Sequence, residues 1–339
     1  MRSRLLLFIA VLVVILTWSG LPFPEPAEGR ASIGTSKQAA EIPDRSYPAP
    51  KGHSALLVAA AVYDDLVLMV GERGLIYRST DAGKNFKQIE TPTRRMLCSV
   101  TLGKDGLAYA VGHDKTVLRS RDGGLNWQRV HGDPAADLAL FSVVALDDGK
   151  VIAVGSFGTV LISEDGGEQW QQQLISEDGP HLYSIQERGS GLVVVGEFGS
   201  IFHSQDGAGN WEAAESPYEG TFFHVVSLED SGSLLLLGLR GNLWEGKDGD
   251  WKRVDSGSEA SLFGGSILDG GEVVVVGDEG RVLIRSVDGK WQDQSPGERR
   301  LLSSAVGLPD GSILVVGEKG YRIRWCGRNP TIGVEGEGR

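Results

Sequence analysis

The sequence predicts an all-β fold, a seven-bladed β-propeller of four-stranded blades in which all but the last blade carry an Asp-centred hairpin. Three observations predict it. A Ser-x-Asp-x-Gly-x-x-Trp pattern returns at a nearly fixed period. An apolar run ending in Gly is phased with it. No segment past the N-terminus sustains a 3.6-residue apolar period.

The pattern is clearest at Ser163-Glu164-Asp165-Gly166-Gly167-Glu168-Gln169-Trp170. Across its six copies the aspartates are Asp81, Asp122, Asp165, Asp206, Asp248 and Asp288. The closing aromatics are Phe86, Trp127, Trp170, Trp211, Trp251 and Trp291, which sets a period of 40 to 43 residues. The last two copies, at 246–251 and 286–291, are shorter by two residues. A period of this size belongs to propellers and solenoids.

The apolar runs end at Gly71, Gly112, Gly155, Gly196, Gly238, Gly277 and Gly317, and no Asp motif follows the seventh. Each unit reads as four short strands. In the third these are 141–146, 151–154, 159–163 and 170–174, with a Gly-Ser-Phe-Gly turn at 155–158. In the Asp motif, Gly supplies the left-handed backbone that the turn needs. The Asp carboxylate can accept backbone N–H groups across the turn, Ser can add a second local bond, and Trp packs between strands. One carboxylate per blade, spread round a ring, cannot converge on one cation. The motif is therefore read as structural, with no metal or cofactor expected.

Motif and phasing together resemble the Asp-box, or bacterial neuraminidase repeat, proteins. The seven units resemble the photosystem II stability/assembly factor family and its bacterial relatives over about residues 55–325. The resemblance implies a propeller that helps to assemble a membrane protein complex. Some bacterial relatives are encoded beside resistance-nodulation-division exporters, so an exporter accessory is also implied.

The termini read differently. Residues 5–18 form an uncharged, almost wholly apolar run behind Arg2 and Arg4. As a helix it would span about 21 Å, short of the roughly 30 Å hydrocarbon core. Residues 1–21 are therefore expected to be a Sec-type signal peptide or an uncleaved anchor, which places the protein in the periplasm or a lumen-like compartment, either free or tethered to the inner membrane. Residues 22–52 hold six prolines and read as a linker. The propeller is expected at 53–326 and a flexible tail at 327–339. The seventh unit has no obvious fourth strand. A segment within 36–48 is expected to supply it, with the tail as the other candidate donor. Cys98 and Cys326 sit at the start of blade two and after blade seven, so a disulfide between them is not expected.

The formal net charge of −12 argues against nucleic acid, whose phosphates need clustered cations. Strand order puts the turns between strands two and three on one face with the loops leading into strand one, and the Asp hairpins on the other. The first face is the expected binding face. Two features mark it. Phe157 and Phe198 hold equivalent turns of adjacent blades, either exposed for a protein or lipid contact or folded back on their own blades. Arg94, Arg95, Arg299 and Arg300 precede strand one in blades two and seven. With Arg73 and Lys319 they form either a basic patch for an acidic partner or a set of solvated charges. Arg240 holds the same turn position in blade five.

No catalytic residue is assigned. The nearest approach to a sialidase Phe/Tyr-Arg-Ile-Pro motif, Tyr321-Arg322-Ile323-Arg324, lies at the wrong end and lacks the Pro. The six His residues show no zinc spacing. The expectation is a monomeric, non-enzymatic, exported scaffold for a membrane protein complex, with membrane association possible through its N-terminus. The alternative is a glycan-binding or glycan-cleaving protein of the same repeat class.

Overall fold

The computed structural model describes residues 44–49, 54–177, 179–228 and 232–325. The chain divides into two compact units, Met1–Pro43 and Asp44–Arg339, and the described residues belong to the second. The expected signal or anchor segment and the tail 327–339 lie outside them, as does Cys326.

That unit is the seven-bladed propeller. Blade three is made of Leu140–Ala145, Val151–Gly155, Thr159–Ser163 and Gln171–Leu174, paired antiparallel in chain order. Each boundary falls within one residue of the sequence expectation. Six blades have this four-stranded form. Blade seven has three strands among the described residues: Leu302–Gly307, Ser312–Gly317 and Gly320–Trp325.

The first strand of each blade lies innermost, and each packs on the next round the ring. The ring closes between Leu302–Gly307 and Leu57–Tyr63, where Ser303 Oγ donates to the Leu57 carbonyl at 2.9 Å. Inner strands are edge strands, so their backbone groups need other partners. Short polar side chains supply some of these. Ser142 Oγ accepts the Ile185 amide at 3.2 Å, and Ser184 Oγ accepts that of Val225 at 3.5 Å. His224 bridges the next gap, with Nε2 3.0 Å from the Gly265 carbonyl and Nδ1 3.2 Å from Ser184 Oγ. Burial pushes His224 down to about 4.

The core is seven apolar clusters, one at each blade junction. The closing aromatic of an Asp hairpin packs into the junction with the preceding blade. Trp127 packs on the cluster that contains Leu68, Val70 and Leu97, and Trp170 on the one that contains Tyr109, Val111 and Val151. The sequence placed these rings between strands of one blade; they join two blades instead. Cations of the preceding blade hold the hairpin backbone. Arg78 donates to the Gly123 carbonyl at 2.6 Å, Arg119 to that of Gly166 at 2.8 Å, and Lys150 to that of Gly207 at 3.0 Å.

Within the hairpin the expected bonds form. Ser79 Oγ donates to Asp81 Oδ1 at 2.6 Å and accepts the Gly83 amide at 3.0 Å. Asp81 Oδ1 accepts the Asn85 amide at 2.9 Å. These bonds, led by the Ser79 hydroxyl, hold the Asp81 carboxyl down at about 2. The short copies differ. Asp248 has Gly246 where the others have Ser, and it pairs with Arg188 at 3.1 Å.

Of the segment 36–48 expected to complete blade seven, residues 36–43 lie outside the described residues. Residues 44–48 run along blades one and two. The Ser46 amide donates to the Thr91 carbonyl at 3.0 Å, Gln88 Nε2 donates to the Tyr47 carbonyl at 2.7 Å, and Asp44 pairs with Arg129 at 2.8 Å. That stretch does not supply blade seven's missing strand.

Candidate partner-binding face

Seven equivalent turns join strands two and three. Their tips are Arg73, Asp114, Phe157, Phe198, Arg240, Glu279 and Lys319, and all seven take left-handed backbone, with φ between 52° and 66°. For a bulky side chain this conformation is strained. A Gly follows the tip in six of the seven turns. At Gly241 (φ +67°) an added Cβ would sit 1.8 Å from the Ser258 carbonyl oxygen, so the turn is pressed against the loop leading into the next blade. The same turn-to-loop contact recurs as a hydrogen bond. Gly158 N–H donates to the Pro180 carbonyl at 2.7 Å, and Gly199 N–H to that of Gly220 at 2.6 Å. The turns and these leading loops therefore form one surface.

A second regularity lies below the turns. Every inner strand carries a register shift at the same place. The residue left unpaired is Val58, Cys98, Phe141, Tyr183, Phe223, Phe263 or Ser303. Such bulges re-aim a side chain. On blades three to six the bulged residues are all aromatic and touch in sequence. The ring centroids are 5.3 Å apart for Phe141–Tyr183, 5.4 Å for Tyr183–Phe223 and 5.0 Å for Phe223–Phe263. Equivalent positions on successive blades approach this closely only near the axis, so the four rings form an arc round one side of it. The phenol of Tyr183 is pushed up by burial and by the neighbouring Glu197. Burial pushes the Cys98 thiol up to about 12, so it stays protonated at neutral pH.

Phe157 connects the arc to the surface. Its ring lies edge-on to His181 with centroids 4.6 Å apart, and its amide donates to His181 Nδ1 at 3.0 Å. The buried His181 ring in turn lies 6.1 Å from Phe141 and 6.3 Å from Tyr183. Phe157 stays 41% exposed and Phe198 77%, the latter the most exposed large apolar residue among those described. Phe157 thus leans on the neighbouring blade, while Phe198 stands out.

The cations divide into engaged and free. Arg94 lies over the Tyr47 ring at 4.7 Å, and its amide donates to Asp44. Arg95 pairs with Asp114 at 2.6 Å and Arg300 with Glu298 at 2.9 Å. Arg73, Arg240, Arg299 and Lys319 have no ion-pair partner among the described residues. Arg300 and Lys319 line one cleft between blades six and seven, together with Glu318, Tyr321 and Arg322. Arg322 was missed in the sequence because it was read only as part of a failed sialidase motif. The bulge arc was missed because a one-residue slip leaves no mark in composition. Among the described residues no group of three His, Cys, Asp or Glu could hold a metal ion, and no helix is long and apolar enough to cross a membrane.

Residues 82–310 match the family described as Photosynthesis system II assembly factor YCF48. A search of curated proteins by sequence gave no match. Among solved structures the chain is similar to one described as YCF48 bound to D1 peptide, at 17% identity and a TM-score of 0.67, covering 85% of this chain and 98% of that one. It is similar to YCF48 from Cyanidioschyzon merolae, at 17% identity and a TM-score of 0.64, covering 81% and 96%. It is also similar to a streptogramin B lyase, at 14% identity and a TM-score of 0.69, covering 83% and 93%. At these identities the likeness is one of fold.

Proposed function

Because the chain belongs to the YCF48 family of photosynthesis system II assembly factors, we propose that it is a non-enzymatic assembly factor whose loop face holds a segment of a membrane-protein subunit. The family match over 82–310 is the observation that carries this reading. Two features of the face support it. Strained, exposed Phe157 and Phe198 are poor choices for stability alone. Arg73, Arg299 and Lys319 are left free to meet an acidic segment. The YCF48 structure similar in fold is described as bound to D1 peptide, which fits a client held as a peptide.

The apolar run at 5–18 supports export and a periplasmic or inner-membrane-tethered location. An exporter complex is the other client class. The glycan alternative gains little support, because the closing tryptophans sit in blade junctions and not on the loop face.

Affinity capture from crosslinked host membranes tests the proposal. Wild type should recover a membrane-protein subunit, and a folded Arg73→Glu/Arg299→Glu/Lys319→Glu variant should lose it. Equal recovery by both would refute it.

A further inference from the structure

The loop face is not uniform. Around blades seven, one and two, its turns and leading loops carry Arg73, Arg94, Arg95, Arg299, Arg300 and Lys319. Around blades three to six, across 132–139, 156–158, 175–181, 197–199, 214–221, 239–241, 255–261 and 278–280, Arg240 is the only Lys or Arg. This second half holds the aromatic arc, Phe157 and Phe198. Asp137, Glu177, Glu219, Glu259 and Glu279 frame it, all exposed and all without an ion-pair partner among the described residues.

We infer that this half is a second docking sector, taking an extended peptide in which apolar and basic residues alternate. The inference rests on the reading of the loop face as the client-binding surface. An apolar side chain would seat on Phe157 and Phe198, above His181 and the arc, where rings already in contact need little ordering. Lys or Arg side chains on either side would meet the free carboxylates, and a cation over an exposed Phe face adds attraction. An acidic segment would be repelled here and drawn to blades seven, one and two. The face would thus hold two stretches of opposite charge at once and fix the orientation of what it binds. A membrane surface fits less well, because anionic headgroups would be repelled by the exposed carboxylates on the loops of this half.

The test uses the full chain and fluorescein-labelled peptides of about twelve residues, enough to cross a few blades in extended form. One alternates Leu and Lys, one Ser and Lys, and one Leu and Glu. The Leu/Lys peptide should bind, and weaken by about tenfold with Phe157→Ser/Phe198→Ser, the loss expected of a central anchor. Glu177→Gln/Glu219→Gln should weaken it by about threefold and flatten its salt dependence. Circular dichroism melts check that the variants fold. Equal binding of the Ser/Lys peptide would reduce the effect to bulk charge and overturn the inference. So would unchanged affinity in the double Phe variant, or Phe198-dependent sedimentation with phosphatidylcholine vesicles when no peptide binds. Client capture kept by the double Phe variant but lost with Arg73→Glu/Arg299→Glu/Lys319→Glu would overturn this sector and leave the client-binding face standing. Capture indifferent to both variants would overturn the two together.

Discussion

The two ends of the propeller use the repeat in opposite ways. On the Asp-hairpin face one motif is built six times, with the aspartate and closing aromatic in each. On the loop face seven turns share one left-handed backbone, yet their tips are Arg, Asp, Phe, Phe, Arg, Glu and Lys. A side chain that must recur serves what every blade needs, which is closure against the blade before it. A side chain free to vary on a fixed backbone serves something outside the ring. Substitutions on the first face should change stability, and those on the second should change binding.

The largest expected effect is on the hairpin face. Trp170→Ala should cost about 3 kcal/mol, because the ring is half-buried in a junction between two blades. Trp170→Phe should cost under about 1 kcal/mol, since Nε1 of Trp170 has no hydrogen-bond partner. Urea unfolding of both variants checks this, and equal losses would mean that the part of the indole that Phe cannot replace carries the packing.

Next comes pH. His224 is neutral in the fold, with a pKa of about 4, and free histidine titrates near 6.5. The unfolded chain therefore binds the proton first. Stability is unaffected above pH 6.5 and falls as pH drops toward 4, by about 2 kcal/mol at pH 5. His224→Gln should flatten that slope. The hairpin carboxyls act in a lower window. Asp81, Asp206 and Asp288 are held at about 2, so what they contribute is present above pH 4 and is lost as pH falls from about 4 toward 2. Denaturant midpoints between pH 7 and about 2 separate the two windows.

A smaller loss is expected from Ser163→Ala, about 1.5 kcal/mol. The buried hydroxyl accepts the Gly167 amide at 2.8 Å and donates to Asp165 at 2.8 Å; the exposed Asp165 carboxylate can turn to water, but the buried Gly167 amide would lose its partner. The smallest effect has the opposite sign. Phe198→Gly should leave stability unchanged or raise it by up to about 1 kcal/mol, because it relieves a left-handed Phe at φ 56°. The same change should lose client binding. A thermal melt beside client capture would show whether the two properties separate at this turn.

The fold was legible because propeller signals are local and repeated. The Gly at each apolar run's end and the Asp hairpin fix strand boundaries to within one residue in blade three. The face was legible in part. Phe157 and Phe198 stand out because aromatics rarely occupy turn tips. What escaped depended on contacts between blades. Arg119 reads as an ordinary strand residue, yet it is 5% exposed and holds the next hairpin's Gly166 carbonyl. Phe141 reads as a strand start, Phe223 and Phe263 read as residues of two separate leading loops, and Tyr183 carries no signal of its own. They become one arc only when ring closure brings the bulges together. Arg94 looked like part of an open basic patch until Tyr47, nearly fifty residues away, was seen beneath it.

The central claim is that the client lies on the loop face. Hydrogen–deuterium exchange on the protein alone and in its captured, affinity-purified complex tests it most directly. The account predicts slowed exchange at the turns 156–158, 197–199 and 318–320 when the client is bound, with the hairpins at 79–86, 120–127 and 163–170 unchanged. Protection confined to the hairpins, or the same pattern in both samples, would contradict it.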